Sequence, residues 1–361
     1  MIGVLTTSYP RFPDDAAGVF VRERVRALLA AGHAVEVVAA AGRDGPSVDD
    51  GMVTRIEAGG LFHGGGAPEA LEAPDLVPKL VALGQAARFS LAMLRHLSLR
   101  GRDWDAVESH WLLPCGLLAC AALPRLPHRA HVHGGDLFLL ARLACGDSLG
   151  RVLCRSRPLL VFASASLRDR FSTLIGASPE TFGAKCRIEP APFDARVFYR
   201  RSDEERRRLR LALGLRRPTA LAAGRLVPIK GFDVLVAALG QMPPASRPAL
   251  GIAGEGPEKA HLARLARAAG VDVHLVGLLG QRALADYMAA ADLFVHPCRT
   301  LANGRSEGMP LVVREALACG LPVIASASGG LGELRGAQGL TLVDADAEGA
   351  LLHAIVQTLG G

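Results

Sequence analysis

Residues 303–334 carry the strongest chemical signal in the sequence. Two carboxylates, Glu307 and Glu315, stand eight positions apart, with a glycine and a proline soon after the first. Pro310 suits the first position of a helix, because its missing N–H costs nothing there. Such a helix start binds phosphate readily. It would offer a ligand the backbone amides of Gly308, Met309 and Leu311.

The spacing of the two acids also points to a nucleotide-like ligand. At about 1.5 Å per helical position, the two carboxylates would lie about 12 Å apart, although Glu307 itself precedes the predicted helix. That distance suits two acids that hold hydroxyl groups on either side of a diphosphate. A surface helix with scattered acids is the alternative, and the surrounding glycines and proline favour the ligand site.

A second group of candidate ligands lies in Ala222–Leu239. A predicted buried strand ends at Gly224, and two cations, Arg225 and Lys230, follow before the next helix. Cations at the carboxyl end of a strand fit a diphosphate. Lys230 is one of only four lysines in the chain. Solvated charges remain the alternative for either residue taken alone.

The elements that must position these residues follow an alternating pattern. Short apolar runs alternate with amphipathic stretches of helical periodicity, such as Val19–Ala31, Glu258–Ala269 and Arg282–Ala290. This alternation predicts parallel sheets that are covered by helices on both faces. The predicted strands are Ile2–Thr6, Val35–Ala39, Ala106–Glu108, Ala130–His133, Leu159–Ala163, Cys186–Glu189, Ala220–Ala223, Leu250–Ala253, Val273–Val276, Leu293–His296, Pro322–Ala325 and Leu340–Val343.

So many strand–helix units exceed one doubly wound sheet and predict two domains. The boundary falls near the charged stretch Asp194–Arg208, giving domains of residues 1–197 and 198–361. Ligands of such sheets bind at the carboxyl ends of the strands, which predicts a cleft where two domains face each other. Residues 41–75, rich in glycine and proline, predict a surface loop.

Together, these segments resemble glycosyltransferase family 4, the retaining nucleotide-sugar transferases of GT-B fold. The resemblance implies an α/β protein of two Rossmann-like, doubly wound parallel-sheet domains that face each other across a cleft. The first domain would bind the acceptor, and the second would bind the nucleotide-sugar donor. Further matching stretches, in chain order, are Ser8–Ala39, SHWLLPCG (109–116), HVHGGDLF (131–138), ASASLRDRF (163–171), APFDARVF (191–198) and IAGEGPEKAHL (252–262).

The resemblance also implies a role for each candidate residue. Arg225 and Lys230 would hold the donor diphosphate, and Glu307 would bind hydroxyls of the transferred sugar. Glu315 would bind the ribose, and His133 would lie near the sugar and the bond that breaks. The other implied donor-binding residues are Gly18, Gly254, Gly308, Met309, Pro310 and Leu311. The implied acceptor-side residues are Ala17, Gly18, His110 and Asp136.

The implied reaction moves a sugar, with retention, from a UDP- or GDP-sugar to a hydroxyl of a sugar or lipid-linked acceptor. It would need no metal or other cofactor and would serve surface polysaccharide or glycolipid assembly. Two alternatives stay open: a nucleotide-sugar epimerase of the same fold, and a non-catalytic nucleotide-binding partner. The second arises because only a short segment follows the last predicted strand.

Composition and charge exclude other classes of protein. The 361 residues are 50% hydrophobic and 21% charged, which excludes a disordered chain. The net charge of +6 is spread evenly and aromatic residues are only 5%, so we expect no nucleic-acid partner. The seven cysteines form no C-x-x-C pair, and no apolar stretch reaches the roughly 20 residues of a membrane span. The N-terminus lacks the basic region of a signal peptide, which predicts a cytoplasmic protein.

Two weaker features have competing interpretations. His131 and His133 lie two apart on a predicted strand and would face the same side, as metal ligands do, but no third ligand has suitable spacing. We therefore predict no metal site. Residues 76–102 hold five basic residues, no acids and many leucines at near-helical spacing. This stretch predicts either an ordinary solvated helix face or a patch for peripheral association with the inner face of a membrane.

Overall fold

In a computed structural model, the chain divides into two compact units, Met1–Pro192 and Phe193–Gly361. The structure describes residues 1–41, 51–57, 61–62, 76–156, 158–178, 185–345 and 347–360. The division lies five residues before the predicted boundary, because Phe193 already packs with the second unit. Its ring contacts that of the buried Phe198, with centroids 6.3 Å apart, in a core cluster of that unit.

The first unit is built on a seven-stranded sheet with the order β3-β2-β1-β4-β5-β6-β7. All neighbouring strands run parallel. The strands are β1 (Ile2–Thr6), β2 (Val35–Ala40), β3 (Val53–Ile56), β4 (Ala106–His110), β5 (His128–Val132), β6 (Leu159–Phe162) and β7 (Cys186–Ile188).

Helices cover both faces of this sheet. Because side chains alternate along a strand, Val4 and Leu5 of β1 belong to two different core clusters, one on each face. The helices of the unit are α1 (Val19–Ala30), α2 (Leu76–Arg100), α3 (Leu117–Ala122), α4 (Gly135–Arg142), α5 (Gly146–Arg155) and α6 (Ala165–Ile175). Shorter helical turns form at Gly101–Asp103 and Leu112–Gly116.

The second unit has a six-stranded parallel sheet with the order β10-β9-β8-β11-β12-β13. The strands are β8 (Thr219–Ala223), β9 (Ala249–Ala253), β10 (Val273–Gly277), β11 (Leu293–His296), β12 (Val323–Ser326) and β13 (Leu340–Val343). The helices are α7 (Asp203–Ala212), α8 (Phe232–Gly240), α9 (Lys259–Ala269), α10 (Gln281–Ala290), α11 (Leu311–Ala318) and α12 (Glu348–Gly360). Both sheets therefore reverse their strand order beside the first strand, at β1 and at β8.

The end of the charged stretch near the predicted boundary forms the first part of α7. Its start is fixed by a capping box, in which the Ser202 hydroxyl accepts from the Glu205 N–H and the Glu205 carboxylate accepts from the Ser202 N–H. Three acids in the first turn also favour the positive end of the helix dipole. The charges thus mark a helix start on the surface of the second unit.

The predicted α/β class is confirmed, and one predicted loop is wrong in part. Within residues 41–75, Val53–Ile56 forms strand β3 and pairs with β2. Val53 and Ile56 are buried. Pairing with β2 stabilises this strand, and its own four residues, which stand between glycine-rich segments, are too few to predict it. Residues 42–50, 58–60 and 63–75 of the predicted loop lie outside the described residues.

None of the helices in the described part of the chain combines the length and apolarity that crossing a bilayer requires.

Candidate functional site

In the second unit, Lys230 lies over the carboxyl end of β8. The strand runs into Gly224, whose φ is 149°, and a Cβ there would lie 3.1 Å from Cε of Lys230. The lysine ends a 3₁₀ turn, and Gly231, at φ 65°, turns the chain into α8. A side chain at Gly231 would put its Cβ 1.9 Å from the carbonyl oxygen of Pro297. Two glycines therefore permit the path that holds this lysine over the strand end.

Lys230 and Glu307 form an ion pair. Nζ of Lys230 lies 3.0 Å from Oε1 of Glu307, and the two side chains are 14% and 17% exposed. Burial by itself raises the pKa of Glu307, but the charge and hydrogen bond of Lys230 bring that pKa below the ordinary glutamate value. The structure thus joins two predicted donor ligands that are 77 positions apart in sequence.

Arg225 and Arg305 add positive charge to the same region. Burial is the main cause that lowers the pKa of Arg225, and the charge of Arg305 lowers it further. Arg305 also helps to lower the pKa of Glu307. Like charges in a half-buried setting repel each other, and an anion bound nearby relieves that repulsion.

Sequence reasoning missed Arg305. It stands in a turn in which the Leu301 N–H donates to the Arg305 carbonyl at 2.8 Å and the Arg305 N–H donates to Oδ1 of Asn303 at 3.1 Å. The available signal was its position two residues before Glu307. No sequence pattern of fixed spacing predicts the turn that directs Arg305 toward this region.

The segment before α11 is fixed by backbone contacts. The Gly330 N–H donates to the Gly308 carbonyl at 2.7 Å, and a Cβ on Gly329 would lie 1.8 Å from the Glu307 carbonyl oxygen. Pro310 is the N-cap of α11 and not its first residue, because its ψ of 119° is extended. The predicted amides of Gly308, Met309 and Leu311 therefore lie in this cap segment and at the first helical position.

Glu315 lies one turn into α11 and is 4% exposed. Burial raises the pKa of this carboxyl to about 8, although the charge of Arg314 acts in the opposite direction. A carboxyl group in this state is an effective partner for hydroxyl groups, since it can both donate and accept. Its predicted role toward a ribose stays a prediction.

Gly254 follows β9 directly beside Gly224. Its φ is 146°, and a Cβ would lie 1.9 Å from the Gly224 carbonyl oxygen. The Gly254 N–H donates to the Gly277 carbonyl at 2.7 Å. Close packing of the two backbones therefore requires a glycine at this position, independently of any role that Gly254 has in donor binding.

His296, a residue that sequence reasoning did not single out, ends β11 and is completely buried. Burial, and next to it the charge of Lys230, lowers the pKa of His296 to about 3, while the charge of Glu307 acts in the opposite direction. The imidazole is therefore neutral near pH 7. The only sequence signal for His296 is that it precedes a proline at the end of a predicted strand.

In the first unit, three nearly parallel histidine rings cluster at the ends of β4 and β5, with planes within 8° of one another. The ring centroids are 4.5 Å apart for His110 and His131, 5.3 Å for His110 and His133, and 6.3 Å for His131 and His133. Nδ1 of His110 lies 3.0 Å from Nε2 of His133, and Phe20 packs on His133 at 4.7 Å. Burial lowers the pKa of His133 to about 3. His133 follows β5, which ends one residue earlier than predicted.

The structure places groups that could hold a metal around His131, although His133 is not among them. Glu108 and His110, on the neighbouring strand, place carboxylate and imidazole atoms within 4.8 Å of those of His131. However, Nε of Arg24 donates to Oε2 of Glu108 at 2.8 Å, and its charge opposes a divalent cation. The rings of His110 and His131 are also parallel, so their nitrogen lone pairs lie in separate planes. We therefore keep the prediction of no metal, now on these grounds.

Asp136 is a buried anchor of two loops. Its carboxylate accepts from the backbone N–H groups of Leu112 at 2.7 Å, Gly134 at 3.0 Å, Leu137 at 3.0 Å and His133 at 3.2 Å. These bonds place His133 relative to the loop after β4. Asp136 would therefore fulfil its predicted acceptor-side role indirectly, through the backbone segments that it holds in place.

The start of α1 holds the other predicted acceptor-side residues. The Ala17 N–H donates to Oδ1 of Asp15 at 3.0 Å. Gly18 is the N-cap of α1 at φ 69°, and a Cβ there would lie 2.1 Å from the Ser8 carbonyl oxygen. This glycine therefore allows the loop after β1 to pass close to the helix start.

Two doubly wound parallel sheets of this strand order, with candidate ligands at the strand ends, define a protein of the GT-B glycosyltransferase class. The family described as Glycosyl transferases group 1 matches residues 217–360. The D-inositol 3-phosphate glycosyltransferase of Jonesia denitrificans is 33% identical over 350 residues, which cover 88% of this chain and 76% of that protein. The chain therefore belongs to the group 1 glycosyltransferases, as expected.

Other relatives match over part of their length. A GDP-mannose-dependent alpha-(1-6)-phosphatidylinositol monomannoside mannosyltransferase of Mycolicibacterium smegmatis is 35% identical over 244 residues, 65% of this chain. The chain spans 61% of that protein and 66% of a Corynebacterium glutamicum relative with a similar name, less than two thirds of each.

Solved structures share the fold. Sucrose-phosphate synthase from Thermosynechococcus elongatus superposes with a TM-score of 0.73 at 22% identity, over 100% of this chain and 90% of that one. Anabaena HepE in complex with UDP-glucose gives a TM-score of 0.67 at 20% identity, over 98% and 89% of the chains.

Proposed function

We propose that this protein is a retaining glycosyltransferase that moves a sugar from a UDP- or GDP-sugar to an acceptor hydroxyl. The observation that carries the proposal is the Lys230–Glu307 contact before α11, with Arg225 and Arg305 close by. Cations there would receive the diphosphate, and the carboxylate would receive sugar hydroxyls. Names of relatives that include GDP-mannose and the HepE complex with UDP-glucose support a nucleotide-sugar donor.

The chemistry of this arrangement suits departure of a nucleoside diphosphate. In the transfer, the bond between the anomeric carbon and the phosphate oxygen breaks, and a bond to the acceptor oxygen forms. Positive charge fixed in advance lowers the barrier by stabilising the negative charge that develops on the leaving phosphate. When a donor binds, Lys230 would exchange Glu307 for phosphate, which would leave the carboxylate to accept from sugar hydroxyls.

Retention is proposed through a same-face route. The leaving phosphate oxygen would accept the proton of the acceptor hydroxyl as the new bond forms on the face from which the phosphate departs. No cofactor or metal is needed for this step. His133, neutral and hydrogen-bonded to His110, would contribute a polar contact near the sugar.

We propose a sugar or lipid-linked acceptor, as in polysaccharide or glycolipid assembly in the cytoplasm, and peripheral association with the inner face of the membrane. Relatives named for phosphatidylinositol mannoside acceptors support a lipid-linked substrate. Helix α2 supports membrane association, because several large aliphatic side chains on it are exposed beside basic residues. Nucleic acid is not a proposed partner.

The test begins with the donor. Thermal melting with UDP, GDP and ADP identifies the preferred base, and transfer from the matching labelled nucleotide sugar to candidate acceptors is then followed by mass spectrometry. NMR of the product anomeric proton reports retention or inversion. Product formed without an acceptor, with a changed sugar stereocentre, would instead identify an epimerase. Binding with neither hydrolysis nor transfer would identify a non-catalytic partner.

Substitutions at the ion pair test the site. We expect Glu307→Ala and Lys230→Ala each to lower kcat/KM by at least about 100-fold, the usual effect of losing a preorganised charge contact. Matched controls are Lys259→Ala and Glu348→Ala, whose side chains form surface pairs with Glu255 and Gln241. Near-normal activity in both site variants would refute the assignment.

A further inference from the structure

His296 is placed at the centre of the candidate donor site by the sheet. Phe294, two residues earlier on β11, belongs to the core cluster that contains Val313 and Ala316 of α11. Because side chains alternate along a strand, His296 lies on this same face, which α11 covers. Phe294 is in register with Leu221, and two further steps bring His296 beside Ala223, next to Gly224.

The imidazole has two polar atoms without a partner. Within the described part of the chain, neither Nδ1 nor Nε2 of His296 has a hydrogen-bond partner, although the residue is fully buried. Buried polar groups are nearly always hydrogen-bonded, and an unsatisfied one destabilises the fold. A leucine or phenylalanine would fill the same space without that loss. The histidine is therefore better explained by a partner that arrives from outside the chain.

The charges around the ring indicate the kind of partner. Lys230 and Glu307 both act on the ring, and the imidazole is neutral near pH 7. A neutral imidazole offers one donor and one acceptor. A hydroxyl group matches this pair, since it also donates and accepts, whereas an ionised phosphate oxygen only accepts.

We propose that His296 is a donor-sugar-binding residue that hydrogen-bonds a hydroxyl of the transferred sugar, beside Lys230 and Glu307. The inference rests on the proposed function and adds a sugar-recognising group beneath the ion pair. Opening of the Lys230–Glu307 pair by the incoming diphosphate would expose the ring to the sugar. His296 would then contribute to sugar binding and very little to binding of the nucleotide alone.

The experiment compares a nucleoside diphosphate with its sugar conjugate. Calorimetry gives Kd for the preferred diphosphate, UDP or GDP, and for the matching nucleotide sugar, with the wild type, His296→Leu and His296→Asn. We expect His296→Leu to weaken nucleotide-sugar binding by about tenfold or more, roughly the effect of one hydrogen bond, with diphosphate Kd within about twofold. His296→Asn, which keeps a donor and an acceptor, should recover part of the loss.

A second measurement uses the wild type, so its outcome does not depend on whether a variant without the imidazole folds. In the wild type labelled with ¹⁵N-histidine, the His296 ring nitrogens should shift when the nucleotide sugar is added and remain nearly constant with the diphosphate. Equal weakening of both ligands in His296→Leu, or no weakening of either, would overturn the inference. A wild type that binds no nucleotide sugar overturns the proposed function as well, whereas a normally active His296→Leu overturns this inference alone.

Discussion

Ionisation of Glu315 links a single side chain to the stability of the protein. Its pKa lies near 4.5 in an unfolded chain and is raised to about 8 by burial in the fold. Between these values the folded state holds a proton that the unfolded state releases. The contribution of this group to stability is therefore fully present below about pH 4.5 and is lost as pH rises toward 8.

We expect Glu315→Gln to remove the loss of stability that the ionisation of Glu315 causes as pH rises. The Tm of the variant minus that of the wild type should grow as pH rises from about 5 to 8.5, measured by circular dichroism in matched buffers. The exposed Glu204 supplies a control, Glu204→Gln, whose Tm difference should stay constant over the same range. A pH-independent difference for Glu315→Gln would contradict the burial argument.

Residue types in the sequence were sufficient to indicate the charged part of the candidate site. Glu307 stood out because glycines and a proline surround it, and Lys230 because it follows the end of a predicted strand and is one of four lysines. The structure brings the two into contact. Arg305 and His296 could not be predicted in the same way. Their placement depends on a turn closed by Asn303 and on the register of β11, neither of which a spacing rule encodes.

At the scale of elements, α2 presents an unusual surface. Four of its residues, Ala82, Phe89, Met93 and Leu97, are buried. Seven other large aliphatic side chains of the helix are each more than half exposed, namely Leu76, Val77, Leu80, Val81, Leu83, Leu91 and Leu99. Basic residues and no acids accompany them over residues 76–102. An apolar face with basic residues matches the interface of an anionic lipid bilayer.

We expect the protein to co-sediment with vesicles that contain phosphatidylglycerol and to be released in high salt, because screening weakens its attraction to the lipid charge. Replacing Leu76, Leu80 and Leu83 together by glutamine should reduce the bound fraction at low salt as well, through lost apolar burial. The same change at the exposed Leu211, Leu278 and Val356 is the control. Equal binding to neutral and anionic vesicles would contradict the proposal.

Most elements were predictable because a local pattern of apolar and polar residues indicates each of them. Apolar runs such as Leu293–His296 and Leu340–Val343 appear as strands with the predicted bounds. Strand β3 was missed because Val53–Ile56 is short and is stabilised by pairing with β2, a contact made elsewhere in the chain. The exposure of the α2 leucines could not be predicted either, since a periodic pattern does not tell which face has a neighbour.

At the scale of the whole molecule, four histidines govern the response to acid; His110 and His296 are buried, and His128 and His133 are half-buried. Burial lowers the pKa of His128 to about 4 and those of His133 and His296 to about 3, and it places that of His110 well below the ordinary value. The unfolded chain binds these protons near pH 6.5. The stability that depends on them is therefore present above about pH 6.5 and is lost as pH falls toward 4 and below.

We expect the free energy of unfolding, measured by urea titration, to fall between pH 7 and pH 5 with uptake of more than one proton. Each histidine contributes up to about 1.4 kcal/mol per pH unit, and the opposite effect of Glu315 amounts to one proton. His128→Asn should reduce the slope, and His353→Gln, at an exposed position, should leave it unchanged. A flat profile over this range would contradict the burial of neutral imidazoles.

One carboxylate, that of Asp136, joins two loops that are otherwise separate in sequence. Four amide hydrogens converge on it, and among side chains of its size only an ionised carboxylate has enough acceptor capacity for all of them. The shape of both loops is thus fixed from the inside by a group that need not touch a substrate. Under the proposed function, exchange of outward-facing residues of these loops would alter the choice of acceptor, while the scaffold that presents them keeps its form.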